Sequence, residues 1–231
     1  MPHTTLTLIS SMATKALLAD LVAAFSAEQP DIAVAVTSVG GVDAAKRVQA
    51  GEPFDIVALA SDAIEKLAAG GFVAADTRVD MVRSAVAVAV PAGAPVPDIS
   101  TEDALKAAVL AAPTLGYSTG PSGVQLAQLF ERWGIAQQIA PRIVTPPPGV
   151  PVGSLVAQGQ VALGFQQLSE MMNLPGIRLV GGLPEAVQIV TTFSAARAGV
   201  STQAEAVQRF LAFVGSPATA DLKQRHGMSA A

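Results

Sequence analysis

The 231-residue sequence has no cysteine, which excludes disulfides, thiolate nucleophiles and Cys-ligated metals. It has two histidines, His3 and His226, each near a terminus. A histidine-rich metal site and a conventional Ser-His-Asp triad are therefore not expected. Charge is sparse: 14% of residues are Asp, Glu, Lys or Arg, and the net charge is -4. No broad positive field exists to attract phosphate backbones, so no nucleic-acid partner is expected. No apolar run approaches the ~20 residues of a membrane-spanning helix, so no membrane insertion is expected. The opening Met1-Pro2-His3-Thr4-Thr5 lacks a cationic head and a cleavage site. As written the chain is expected in the cytoplasm; as the mature form of a longer one it is expected in the periplasm.

Apolar material, by contrast, is plentiful. Hydrophobic residues make up 51% of the chain, enough to offset the entropy lost on folding. Thr-interleaved Leu6–Ile9 predicts a strand that stops at Ser10-Ser11 before a helix over 13–27, with Leu17, Leu18, Leu21, Val22 and Phe25 at helical spacing. Ile32–Thr37 predicts a second strand, closed by Ser38-Val39-Gly40-Gly41 before a helix over 42–50. Phe54–Leu59 predicts a third, followed by Ala60-Ser61-Asp62 and another helix. Strands alternating with helices imply a parallel sheet covered on both faces, with ligands at the strands' C-terminal ends.

Farther along, Arg83–Val90 reads as a long strand stopped by Pro91, Leu115–Tyr117 as a short one, and 161–165 as a buried one. Ile177–Val180 and Val187–Thr192 come next, then a helix over 203–214. The fold class is α/β, with two lobes: residues 1–83 with 190–231, and 84–189.

Several segments have the composition of an anion cradle. Ser10 and Ser11 place hydroxyls and free amides at a helix start, as does Ser38 with Gly40; each is equally an ordinary cap or turn. Ser61 is a weaker third case. Ser118-Thr119-Gly120-Pro121-Ser122-Gly123 joins two glycines and three hydroxyls before a helix, without the Gly-Lys of a Walker loop. Arg83 reads either as a bidentate carboxylate ligand or as the partner of Asp80. Lys15 reads as a solvated lysine, and Met171, Met172 and Trp133 as packing. Gln166-Gln167-Leu168-Ser169-Glu170 puts polar residues where a strand meets the sheet edge; Ser169 as a helix cap is the plainer reading.

The order of these loops resembles the molybdate-binding solute-receptor family over nearly the whole chain. The resemblance rests on Leu8-Ile9-Ser10-Ser11-Met12-Ala13, on Gly51-Glu52-Pro53-Phe54-Asp55-Ile56-Val57, and on the stretch from Arg83 to Gly93. It continues in Pro97–Thr101, Gly116-Tyr117-Ser118, and Ala157–Gln167. It implies two Rossmann-like lobes of type II periplasmic-binding-protein architecture, joined by two crossing strands, with a ligand cleft. Carried over by position, the oxyanion contacts are Ser11 or Ser10, Ser38, and the loops near Ser122, Val152 and Gln166. Typical molybdate receptors carry a tyrosine where Phe165-Gln166-Gln167 stands here. Gln-Gln-Leu-Ser-Glu is more similar to the branch that includes aconitate isomerase.

The resemblance thus implies a small anionic ligand and a cofactor-free isomerase moving a proton in a di- or tricarboxylate, and the lack of a signal segment points to an intracellular one. Glu170 is the first candidate for its base and Tyr117 the second, while Glu170 equally suits the first turn of a helix. The alternative is a receptor for molybdate or another oxyanion, with an ABC transporter as partner only if a signal peptide was removed.

Overall fold

The computed structural model describes residues 4–147 and 150–231. Met1, Pro2, His3, Pro148 and Gly149 lie outside the described residues. In chain order the elements are β1 (Thr4–Ser11), α1 (Lys15–Glu28), β2 (Ile32–Val39), α2 (Gly41–Gln49), β3 (Ile56–Ala60) and α3 (Ser61–Ala69). Then come β4 (Val79–Pro91), α4 (Glu102–Ala111), β5 (Leu115–Tyr117), α5 (Pro121–Arg132), α6 (Ala136–Ile139) and β6 (Ile143–Val144). They are followed by α7 (Val152–Ala157), β7 (Leu163–Gln167), α8 (Leu168–Met171), β8 (Ile177–Gly182) and β9 (Val190–Arg197). The chain closes with α9 (Ala204–Gly215), α10 (Ala220–Arg225) and β10 (Met228–Ala230).

These elements fall into two compact units, one running to Arg83 and resuming at Thr192, the other Ser84–Thr191. The chain passes between them within β4 and again within β9.

In the first unit β1 lies between β2 and β3, parallel to both, with Ser10 opposite Ser38. β9 runs antiparallel to β3, so the sheet is mixed rather than purely parallel. Strand alternation sends Leu6 and Leu8 to one face, against Leu17, Leu21 and Phe25 of α1 and Phe210 of α9. Ile9, Val57 and Leu59 point to the other face, against Val48 of α2 and Ile64 and Leu67 of α3. Each face is thus sealed by helices, and the strand ends remain as the place where backbone and hydroxyl groups can meet a ligand.

In the second unit β5 lies parallel to β6 and β7, while β7 and β8 both run antiparallel to β4. Val86, Val88, Leu163 and Phe165 pack against Leu105 and Val109 of α4 and Phe130 of α5. On the opposite face the sheet carries glycines, Gly116 opposite Gly164. A Cβ on Gly164 would meet Val156 at 2.4 Å, and one on Gly116 would meet Val161 at 2.8 Å. This pair of missing side chains lets α7 lie close against the strands, which sets its first turn beside the end of β7. No helix of the described residues is long and apolar enough to cross a membrane.

Some element bounds differ from the sequence reading. β7 continues through Gln166 and Gln167, because both amides find distant partners instead of opening a loop. The helix after it is capped by Gln167 and starts at Leu168, so Ser169 lies inside it. α5 begins at Pro121, three residues earlier than its apolar periodicity suggests, because proline suits the first helical turn.

Candidate functional site

The strand ends of the first unit gather neutral donors. Ser10 Oγ lies 2.8 Å from Ser38 Oγ, a pairing that follows directly from the strand register. Ser11 Oγ is buried and has no hydrogen-bond partner among the described residues. A buried hydroxyl left unpaired costs about 1–3 kcal/mol, so its persistence calls for an explanation. α2 opens beside it, with Gly40 at the cap, and a Cβ on Gly41 would sit 3.8 Å from that of Ser11. Ser11 precedes the short 3-10 turn Met12–Thr14 without giving its side chain to the cap, so the plain capping role expected for Ser11 is not what the hydroxyl does. Lys15 is exposed.

Ser61 is placed differently. Its Oγ lies 3.0 Å from the Thr192 carbonyl and 2.6 Å from Ser194 Oγ. Ser194 in turn donates to Asp80 at 2.6 Å, and this bond, with the Arg78 guanidinium, holds the Asp80 carboxyl below its usual range. The Ser61 hydroxyl is thereby engaged in fastening β9 beside α3. Arg83 is exposed and makes no ion pair among the described residues; Asp80 pairs with Arg78 at 3.0 Å instead.

In the second unit, Ser118 Oγ and Ser122 Oγ lie 3.3 Å apart at the start of α5. A Cβ on Gly123 would fall 1.6 Å from the Ser118 carbonyl oxygen, so only glycine lets the helix back so closely onto the β5 end. An open pocket of about 180 Å³ is lined by Tyr117, Ser118, Thr119, Gly123, Val124 and Thr145, among others. Tyr117 stacks edge-on against Phe130, and burial pushes its phenol above the ordinary value. It therefore stays protonated at neutral pH. The Val152 side chain is fully buried in the cluster under α7, which leaves its backbone as what this position offers outward.

The end of β7 leads into the partly buried carboxyl of Glu170. Gly153 N–H, in the first turn of α7, donates to Gln166 Oε1 at 2.8 Å. Gln166 Nε2 donates to Glu170 Oε1, also at 2.8 Å. Burial pushes the Glu170 carboxyl up to about 7, against the Gln166 hydrogen bond, which pulls it down. Desolvation wins because an amide donor offsets only part of what the carboxylate loses on leaving water. Beside it, Gln167 Nε2 donates to Thr191 Oγ1 at 2.8 Å, while Gln167 Oε1 is buried without a partner among the described residues. Ser84, whose Oγ is likewise buried and unpartnered there, is a polar group that sequence reasoning missed. It sits in the apolar run of β4, and no local signal marks it.

The model for bacterial extracellular solute-binding proteins matches residues 6–229. The chain is 37% identical to aconitate isomerase from a Pseudomonas species over 98% of its own length and 88% of that protein's. Its fold is similar to that of the periplasmic molybdate-binding protein of Azotobacter vinelandii, with a TM-score of 0.79 at 19% identity, covering 96% of this chain and 98% of that one. It is similar also to the sulfate-binding protein of Mycobacterium tuberculosis, with a TM-score of 0.79 at 18% identity, covering 98% and 86%. At such identities the two solved structures speak for the fold alone.

Proposed function

This chain belongs to the bacterial extracellular solute-binding protein family, and from that premise we propose that it is a cofactor-free isomerase shifting an allylic proton in a small di- or tricarboxylate. The observation that carries the reading is Glu170, a carboxyl at a strand end whose proton affinity lies near neutrality. A receptor for a fully ionised oxyanion gains nothing from such a group. A general base works best when its pKa is close to the working pH. The similarity to aconitate isomerase supplies the substrate class.

In this reading the Glu170 carboxylate removes a proton from the saturated carbon next to the double bond. The C–H electron pair moves into the allylic system and leaves enolate-like charge on the neighbouring substrate carboxylate. The same carboxyl returns the proton to the far carbon, so the double bond has moved and nothing is consumed. In the second unit Ser118 and Ser122, with the amide at Val152, offer neutral donors to negative charge; in the first, Ser10, Ser11 and Ser38, with the amide at Gly40, offer donors of the same kind. Arg83 adds a guanidinium that makes no ion pair among the described residues. Tyr117, held protonated, is a donor rather than the base. Ser61 belongs to the framework.

Incubation of the protein with trans-aconitate and related unsaturated acids, followed by proton NMR, tests the reading. Appearance of the shifted isomer supports it. A second reading, an oxyanion receptor, is favoured by the character of the family as a whole. It prevails if no unsaturated acid changes and molybdate or tungstate raises the melting temperature.

A further inference from the structure

We infer that Gln166 is a positioning residue that fixes which oxygen of Glu170 is free to carry the proton. Resting on the isomerase reading, this assigns Oε1 to the framework and Oε2 to the reaction.

The geometry leaves the Gln166 amide one orientation. A backbone N–H is a donor only, so the atom facing Gly153 at 2.8 Å must be the acceptor Oε1. The opposite end is then Nε2, again a donor only, and it faces Glu170 Oε1 at 2.8 Å. A flipped amide would set donor against donor at one end and acceptor against acceptor at the other whenever Glu170 is ionised. Gln166 is itself buried and sits in β7, with its backbone held in the ladder to β4 opposite Ala87. Glu170 lies one turn later, so the strand, the amide and the carboxyl form a rigid bracket. The tie needs Oε1 to remain an acceptor, so protonation falls on Oε2. The bracket thus places one basic atom, rather than a rotating pair, in front of a substrate.

Among the described residues, the elements packed most closely against α8 bring no second carboxyl to this arrangement, and Tyr117 of β5, alongside β7, stays protonated. β7, α7 and the Ser84–Pro91 segment of β4 contain no titratable group, and α8 contributes only Glu170. β8, which also packs against α8, carries Arg178, and that side chain is exposed.

The test uses the full chain with 13C-labelled glutamate, the Glu170 carboxyl signal being assigned by its loss in Glu170→Gln. In Gln166→Leu the titration midpoint of Glu170 rises by about one unit, since a donor to the charged form is gone. At a pH above both midpoints, kcat falls about tenfold or more while KM stays within threefold, because the base is ionised but no longer aimed. Leucine also strands the Gly153 N–H, so Gln166→Glu is measured beside it. That variant keeps an acceptor for Gly153 and replaces the donor by a second carboxyl. The two acids then titrate as a pair, with one midpoint well above that of the wild type.

An unmoved or lowered midpoint in both variants overturns the inference. So does an unchanged kcat of Gln166→Leu at the higher pH, given a wild type that turns substrate over. A raised midpoint in the variants, beside a wild type that isomerises no acid, keeps the amide–carboxyl bracket and removes the isomerase reading, so the two failures are distinguishable.

Discussion

The strand ends of the two units are built alike and equipped differently. In the first unit, β1 and β2 end in Ser10, Ser11, Ser38 and Gly40, hydroxyls and amides that hold no proton to exchange near neutral pH. In the second, β7 ends in two buried glutamines and leads into a carboxyl whose proton affinity lies near 7. The first set suits the recognition of negative charge. The second adds the means to move a proton.

The contrast is sharpened first by the pH dependence of turnover. The base must be ionised, so kcat/KM is expected to rise with pH and level off above about 7. Two units below that value the rate should be roughly a hundredfold lower. A flat profile between pH 5 and 8 breaks the assignment of chemistry to the second unit.

Stability carries the same signature. The folded-state pKa of Glu170 lies above its unfolded value, so its contribution is fully present below the unfolded pKa of ~4.3 and is lost as pH rises through about 7. Glu170→Gln does not titrate there. Denaturant midpoints should therefore favour the variant by about 2 kcal/mol more at pH 9 than at pH 4, allowing for the partial exposure of the side chain. An equal difference at both pH values contradicts the burial argument.

Two serines of the first unit separate binding from framework. Ser11→Ala removes a buried hydroxyl that has no partner among the described residues, so it should raise the melting temperature and weaken carboxylate binding about tenfold. Ser61→Ala breaks the contacts to Thr192 and Ser194, so it should cost about 1 kcal/mol of stability and leave KM within twofold. Isothermal titration and thermal melts of the two variants read both effects, and an exchange of the two patterns would reverse the roles.

The architecture was legible where periodicity is strong. Leu17, Leu21 and Phe25 announce α1, and the hydroxyl and glycine punctuation at Ser10-Ser11 and Ser38–Gly41 marks the places where strands hand over to helices. What stayed hidden depends on partners far along the chain. Gln166 and Gln167 read as a loop, yet they close a strand because Gly153 and Thr191 take up their amides. β9 begins at Val190 rather than Val187, since Glu185–Val187 forms a short 3-10 turn. The closing α10 and β10 are too short to show a period. Within the site, Glu170 stood out as a residue, but the bracket that aims it did not, because its spacing from Gly153 matches no local pattern.

The most direct test of the account compares wild type with Glu170→Gln on trans-aconitate at pH 7.5 by proton NMR, with binding to each measured by calorimetry. The account predicts isomer signals from the wild type, a loss of about a thousandfold or more in the variant, and affinities within threefold of each other. Comparable turnover by both proteins would contradict it.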